Sequence, residues 1–195
     1  MIFIEKEEEP EYLVEFRRKF PTGTYDSSEF EPFRPMLRER LVKEQRGLCA
    51  YCCRRITFDS AHNEHIEPRH MRDGSFSKRS LDYDNIVASC NGSTCAHHKG
   101  NEYDEKRFVS PLQADCEQRF RYDPDGFMRG DEYTIDLLDL NAYSLRAARK
   151  AVYKSLEGLS GEDIKLIYAA GDDGEYYPFS NVIFWVLERN GENRK

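Results

Sequence analysis

The 195-residue chain predicts an α+β fold, with short strands toward its centre and helices gathered toward its C-terminal end. Three observations predict it. The runs Arg119 to Tyr122 and Phe127 to Arg129 flank Asp123-Pro124-Asp125-Gly126, whose Pro and Gly suit a tight reversal between two strands. Leu145, Ala148, Val152 and Leu156 recur along one stripe and predict a helix from about Ala142 to Leu156. Ser160 with Asp163 three residues on reads as a capping-box start for another helix, with Leu159 placed to staple onto Ile164 and Gly171 to stop it.

The remaining elements follow in chain order. The opening is acidic (Glu5, Glu7, Glu8, Glu9, Glu11) and turns basic at Arg17-Arg18-Lys19, a helical or extended segment. Pro21 to Phe33, rich in turn formers and Phe, reads as a packed connector. A helix is expected from about Pro35 to Gln45, with Leu37, Leu41 and Val42 on one face and Gly47 ending it. Ile56-Thr57-Phe58 and Glu64 to Glu67 have the length of two hairpin arms, and Met71 to Ser80 reads as a polar loop. A short helix should begin near Cys95 and run through Lys99, and Thr134 to Leu138 is assigned to another strand. Val182, Trp185, Val186 and Arg189 place a last helix at Ser180 to Arg189. No internal repeat is found. The organisation is an N-terminal segment (1–47), a central core (48–101) and a C-terminal elaboration (102–195), packed as a single domain.

Hydrophobic residues at 39% and charged residues at 33%, with 12 Tyr and 12 Phe, supply a modest aromatic core and argue against disorder. No run approaches the roughly 20 apolar residues of a membrane span. The N-terminus lacks a cationic start followed by a long apolar run, so a cytoplasmic location is expected. There, six Cys are thiols or metal ligands rather than disulfides. The net charge of -7 runs against a stand-alone nucleic-acid binder, whose affinity comes largely from neutralised phosphates. Either basic residues are concentrated near a site, or a partner subunit supplies the surface.

Two cysteine pairs carry the first chemistry. Cys49 and Cys52 have the two-residue spacing of a zinc knuckle, and Cys90 and Cys95 enclose four residues, Gly92 among them. Each turn supplies one edge of a tetrahedron, and two close it, so a structural Zn²⁺ is expected. Cys53 is a spare neighbour of Cys52, and Cys116, without a partner in sequence, is expected to be a buried, inert thiol.

All five His lie between the knuckles or just past the second, in His62-Asn63-Glu64-His65, at His70 and in His97-His98-Lys99. Phosphodiester hydrolysis needs a base, a cation for developing charge and a stabilised leaving oxygen. Imidazole suits the first role, and a carboxylate with a second imidazole suits the second. On a regular strand Glu64 and His65 point to opposite faces, so cooperation between them calls for a bulge. Arg69, Arg72, Lys78 and Arg79 outnumber Glu67 and Asp73 in the adjoining loop and are candidates for phosphate contact, as is Lys99.

The order Cys-x-x-Cys, Glu-His-Ile-x-Pro, Asp-Asn-Ile, Cys-x4-Cys, His-His-Lys resembles the HNH endonuclease motif, whose fold is a ββα-metal finger, over about Leu48 to Asn101. Gln45-Arg46-Gly47-Leu48-Cys49-Ala50-Tyr51-Cys52, Glu64-His65-Ile66-Glu67-Pro68-Arg69, Asn85-Ile86-Val87-Ala88-Ser89-Cys90 and Phe108-Val109-Ser110-Pro111-Leu112 look more narrowly like the PtuB-type HNH proteins of Septu and retron defence systems. The resemblance implies His65 as the base that activates water, Asn85 as the brace of the loop, and Glu64 as a carboxylate metal ligand. The third position is Ala96 by strict register, which shifts that role to His97 or His98. It further implies a catalytic divalent metal, Mg²⁺ by default or a transition metal, a DNA or RNA substrate, and a PtuA-like ATPase partner, in retrons with a reverse transcriptase and its DNA product.

Two other functions compete. An inactive relative in which the knuckles scaffold a binding module would look similar, and Ala96 favours it. A thiol oxidoreductase using Cys49 and Cys52 needs a βαβ context that the sequence does not supply and leaves the His cluster idle.

Overall fold

The computed structural model describes residues 1–71, 74–168, 171 and 174–191. Helix α1 (Glu11–Lys19) buries Leu13 and Phe16, and its acidic first turn and basic last turn complement the helix dipole. Helix α2 (Phe33–Glu44) buries Leu37 and Leu41. Pro35 sits in its first turn, where a missing N–H costs nothing because that group has no partner within the helix. Strands β1 (Ala61–His65) and β2 (Ile86–Cys90) pair antiparallel, from Ala61 opposite Cys90 to His65 opposite Ile86, without a bulge. Helix α3 (Ala96–Lys99) follows the second cysteine knuckle. A second hairpin, β3 (Phe120–Tyr122) with β4 (Met128–Gly130), leads to α4 (Glu132–Leu137), α5 (Tyr143–Ser155), α6 (Gly161–Ile167) and α7 (Ser180–Arg189). The fold is thus mixed α+β, with two small antiparallel sheets and seven α-helices among the described residues.

Two expected elements take another form. The central hairpin is not built from Ile56–Phe58. Arg55, just before it, bridges to Leu48 and the Ile56 amide donates to the Gly47 carbonyl at 2.9 Å, after which the chain turns, with the Thr57 amide donating to Ser60 Oγ at 2.8 Å. The partner of β1 is β2, fully buried along its length, reached across a 20-residue connection that local pattern does not reveal. Thr134 to Leu138 is helical rather than extended. Asp131 caps α4 by accepting from the Thr134 amide at 2.8 Å, and Thr134, Ile135 and Leu138 bury at helical rather than alternating spacing. Helix α6 has the Ser160–Asp163 capping box and ends at Ile167, before Gly171. No helix among the described residues is long and apolar enough to cross a membrane.

The main core draws on every part of the chain, including Leu13, Leu41, Tyr51, Ile86, Phe120, Leu145 and Val182, while Leu156, Ile164, Ile183 and Leu187 form a smaller cluster. The C-terminal half also grips the knuckles through backbone. The Cys95 amide donates to the Leu138 carbonyl at 2.7 Å, and the Phe179 amide to the Cys53 carbonyl at 2.7 Å. Arg149, fully buried, binds the Gly126 and Leu140 carbonyls at 2.7 Å each, so the β3–β4 turn and the α4–α5 junction are locked together.

Gly126 holds φ at +80°, and a Cβ there would lie 2.0 Å from the Arg146 carbonyl oxygen of α5. Gly158 has the same φ but nothing near its Cβ position. Gly158→Ala should therefore cost only the left-handed penalty of about 1–2 kcal/mol. Gly126→Ala, which must also displace backbone, should cost at least about 3 kcal/mol. Urea unfolding of both variants checks this, and equal losses would refute the close approach.

Candidate functional site

The cysteine quartet is assembled by the short hairpin and its flanks. Cys49 and Cys52 precede β1, Cys90 ends β2 and Cys95 opens α3. All four are buried, and their sulfur atoms lie within 4.8 Å of one another. The Cys49–Cys95 and Cys52–Cys90 sulfurs are each 3.9 Å apart. A tetrahedral zinc with Zn–S bonds of about 2.3 Å asks for sulfur–sulfur edges of about 3.8 Å, so the quartet fits that ion. Burial works against ionisation, but hydrogen bonds from the Cys52, Cys90 and Cys95 thiols hold Cys49 well below its ordinary value. The Cys90 amide, 3.4 Å from Cys49 Sγ, adds a further donor. Cys53 lies outside the quartet, and Cys116 is fully buried, its thiol pushed up to about 12 by burial.

The unbroken register of β1 sends alternate side chains to opposite faces, which separates Glu64 from His65. Glu64 turns toward α3. Its carboxylate pairs with Lys99 Nζ at 2.8 Å and accepts from the Tyr51 hydroxyl at 3.2 Å. Lys99 is itself buried and also donates to the His65 carbonyl at 3.0 Å, so its charge is spent inside the fold. His62 shares the Glu64 face and meets His97, ring centroids 4.9 Å apart. His98 is exposed and donates through Nδ1 to the Leu137 carbonyl at 3.0 Å.

His65 faces the other way, toward the N-terminal segment. The residue is 5% exposed, and its ring stands edge-on to Tyr25 at 4.6 Å. Nε2 lies 2.9 Å from the Ser80 carbonyl oxygen, which can only accept. The proton therefore sits on Nε2, and Nδ1 carries the free lone pair. Burial pushes the imidazole down to about 4, against the Ser80 bond and with help from the Arg69 and Lys99 charges, so the ring is neutral at pH 7. Asn85 ties the two ends of the loop beyond His65. It accepts from the Glu67 amide at 2.8 Å and donates to the Glu67 and Arg79 carbonyls at 3.0 and 3.1 Å.

The basic candidates are largely neutralised within the chain. Arg69 pairs with Asp26 and lies over the Tyr25 ring, and Arg79 pairs with Asp84 at 3.1 Å and Asp82 at 3.3 Å. Lys78 is exposed on the loop, and Arg72 lies outside the described residues. The structure thus brings Glu64 to Lys99, and His65 to the Asn85-braced loop, but does not bring Glu64, His65 and His97 to one point. Among the described residues the cysteine quartet is the one group of three or more ligands close enough for a metal. Tyr25, Ser80 and Gln45 are contributors that sequence patterns miss. Gln45 substitutes for a strand, its amide bonding the Leu48 carbonyl and both backbone groups of Ala88. Nothing in its sequence context signals that role.

No family model matches the chain. Two curated relatives do. A retron Vc95 protein of Vibrio cholerae, named as a candidate HNH endonuclease, is 29% identical over 142 residues, covering 65% of this chain and 67% of the relative. A retron Ec83 protein of Escherichia coli, named likewise, is 29% identical over 97 residues, covering 47% of this chain and 38% of the relative.

Two outcomes test the geometry. Lys99→Met strands the Glu64 carboxylate and should cost about 3–5 kcal/mol, while adding Glu64→Gln should recover much of it. A non-additive double-mutant cycle in urea is the required result, and simple additivity would deny the pair. The depressed His65 pKa means that the unfolded chain binds a proton between about pH 6.5 and 4 when the folded chain does not. This contribution is fully present above pH 6.5 and lost as pH falls toward 4, about 3 kcal/mol in all. Stability of His65→Gln should therefore fall less steeply than wild type across that window. Parallel curves would show that His65 titrates normally.

Proposed function

With the chain taken as a member of the HNH superfamily, which the two relatives and the motif order support, we propose that it is an endonuclease of a retron-type defence system and that His65 is its general base. The observation that carries this reading is the Ser80 carbonyl at 2.9 Å from His65 Nε2. It fixes the tautomer that leaves Nδ1 free to take a proton from water, and burial keeps the ring neutral and ready. Asn85 holds the loop that supplies the Ser80 carbonyl, which makes it a positioning residue. Zinc in the quartet would hold the hairpin and α3 in register and leave no coordination position for substrate.

The 5% exposure of His65 gives a reason for silence in the isolated chain. Water and a phosphodiester reach Nδ1 only when Tyr25 or the loop gives way. An assembly of the kind that the resemblance implies, with a PtuA-like ATPase and a reverse transcriptase with its DNA product, supplies both the opening and the positive surface that a chain of net charge -7 lacks.

A second reading, an inactive knuckle module that only binds, draws on a specific pair of observations. Ala96 occupies the third motif position, and Lys99 neutralises Glu64. Cleavage of plasmid DNA and total RNA by the purified chain, with Mg²⁺ or Mn²⁺ and with or without co-expressed partners, separates the two. The nuclease reading requires a His65→Ala variant with unchanged zinc content to lose cleavage by about 100-fold or more. Absence of cleavage by the wild-type assembly would favour the binding module.

A further inference from the structure

Many cations of this chain are already matched. Arg17, Arg40, Arg55, Arg69 and Arg79 each meet a carboxylate. Arg34 and Arg38 differ, because among the described residues neither has an acidic group within salt-bridge reach. They stand four residues apart on α2, hence on one face of it, beside the buried Leu37 and Leu41 that seat the helix. Both are half-buried, so solvent screens their charge less than that of a fully exposed side chain.

Arg34 is held in a way that leaves a binding edge open. Its Nε and Nη2 donate to the Tyr25 carbonyl at 3.3 and 3.0 Å, and its guanidinium lies 5.1 Å from the Tyr25 ring centre. Two N–H groups are thereby used on one neutral oxygen. Nη1 and the outer hydrogen of Nη2 have no acceptor among the described residues, and this outer edge is a fork that fits two oxygens of a phosphate. Arg38 follows one turn on. Its guanidinium lies 5.2 Å from the partly exposed ring of Phe58, and its Nε is buried without a hydrogen-bond partner.

The Tyr25 ring ties this pair to His65. The imidazole stands edge-on to it at 4.6 Å, and Arg69 lies 5.0 Å from its centre. Burial raises the Tyr25 pKa, while Asn63 and the charges of Arg34, Arg69 and Arg38 work against that rise, so three guanidinium charges bear on one phenol. Asp26, next along the chain, is engaged by Arg69 and lies 3.5 Å from His70 Nε2, which leaves the α2 arginines uncompensated.

We propose that Arg34 and Arg38 bind the phosphodiester backbone of a nucleic-acid strand and present it to the His65 side of the hairpin. A strand is favoured over an acidic peptide because the pair shares Tyr25 with an imidazole placed to accept a proton. That this strand is the one cut at His65 rests on the nuclease reading, whereas the binding site itself does not.

The test is fluorescence anisotropy of a labelled short single-stranded DNA, and of its RNA counterpart, titrated with the full-length chain to millimolar concentration at low salt without added divalent ions. Saturable binding is expected. Arg34→Ala and Arg38→Ala should each weaken it by at least about fivefold and reduce its salt slope by about one. Arg121→Ala, which removes an exposed arginine of β3, should leave it unchanged. Arg38 makes no hydrogen bond to a described residue, so its variant tests the site even if Arg34→Ala loosens Tyr25. The melting transition and zinc content of each variant separate loss of the site from loss of the fold. No saturable binding, binding untouched by Arg38→Ala, equal loss on Arg121→Ala, or displacement of the strand by an equimolar glutamate-rich peptide would each overturn the proposal. A strand held through Arg38 but left uncut by the chain with its partners would fail the nuclease reading and leave this site standing.

Discussion

Everything in the central region hangs on four sulfur atoms confined within 4.8 Å of one another in the interior. Such a cluster is unfavourable as bare thiolates and wasteful as thiols, because neither form satisfies charge or hydrogen bonding at this density. A divalent ion resolves both. Closing the quartet dictates where β1 begins, where β2 ends and how α3 starts. Its cost is visible in the backbone, where Cys53 and Cys95 hold φ at 59° and 60° without being glycine. Each strained residue has its backbone group caught by the C-terminal half, Cys53 through Phe179 and Cys95 through Leu138. The helical elaboration therefore maintains the knuckles and cannot be regarded as a detachable appendage.

Once the hairpin is fixed, strand alternation distributes the chemistry. The face toward α3 receives His62 and Glu64, and the face toward the N-terminal segment receives Asn63 and His65. On the first face a buried lysine neutralises the carboxylate. On the second, a backbone carbonyl selects the tautomer of a buried imidazole. Charge on one face and a neutral base on the other meet only through the peptide of His65, whose carbonyl oxygen accepts from Lys99. Lys99 thereby ties the position of α3 to the strand carrying His65, although its side chain never reaches the ring.

The legible parts of the fold are those whose signals are local. The Ser160–Asp163 box, the Asp-Pro-Asp-Gly reversal, the Ser180–Arg189 stripe and the cysteine spacing all depend on residues a few positions apart, and each appears where the pattern puts it. What escapes is set at long range. β1 finds its partner across a 20-residue connection, so Ile56–Phe58 presents an equally good local run with no strand to pair with. Thr134 to Leu138 is β-prone by composition, and a single cap at Asp131 together with helical burial outweighs that tendency. The placement of Glu64 and His65 on opposite faces was readable as strand geometry. The lysine that fills the space beside Glu64 was not, since a Lys on a four-residue helix carries no sign of being buried.

The charge pattern closes the argument about partners. A basic loop beside His65 was the sequence's best evidence for phosphate contact, yet Arg69 and Arg79 are already paired with Asp26, Asp82 and Asp84. A phosphodiester approaching this face must displace carboxylates that are covalently part of the chain, and the overall charge of -7 opposes it further. Surface ion pairs of this kind hold by about 1 kcal/mol or less each, so they are readily exchanged when another surface brings its own cations. On the proposed reading, this charge pattern would suit a chain that meets nucleic acid beside a partner's positive surface rather than alone. On that same reading, Arg69 and Arg79 would exchange these carboxylates for phosphates as Tyr25 and the loop move away from His65.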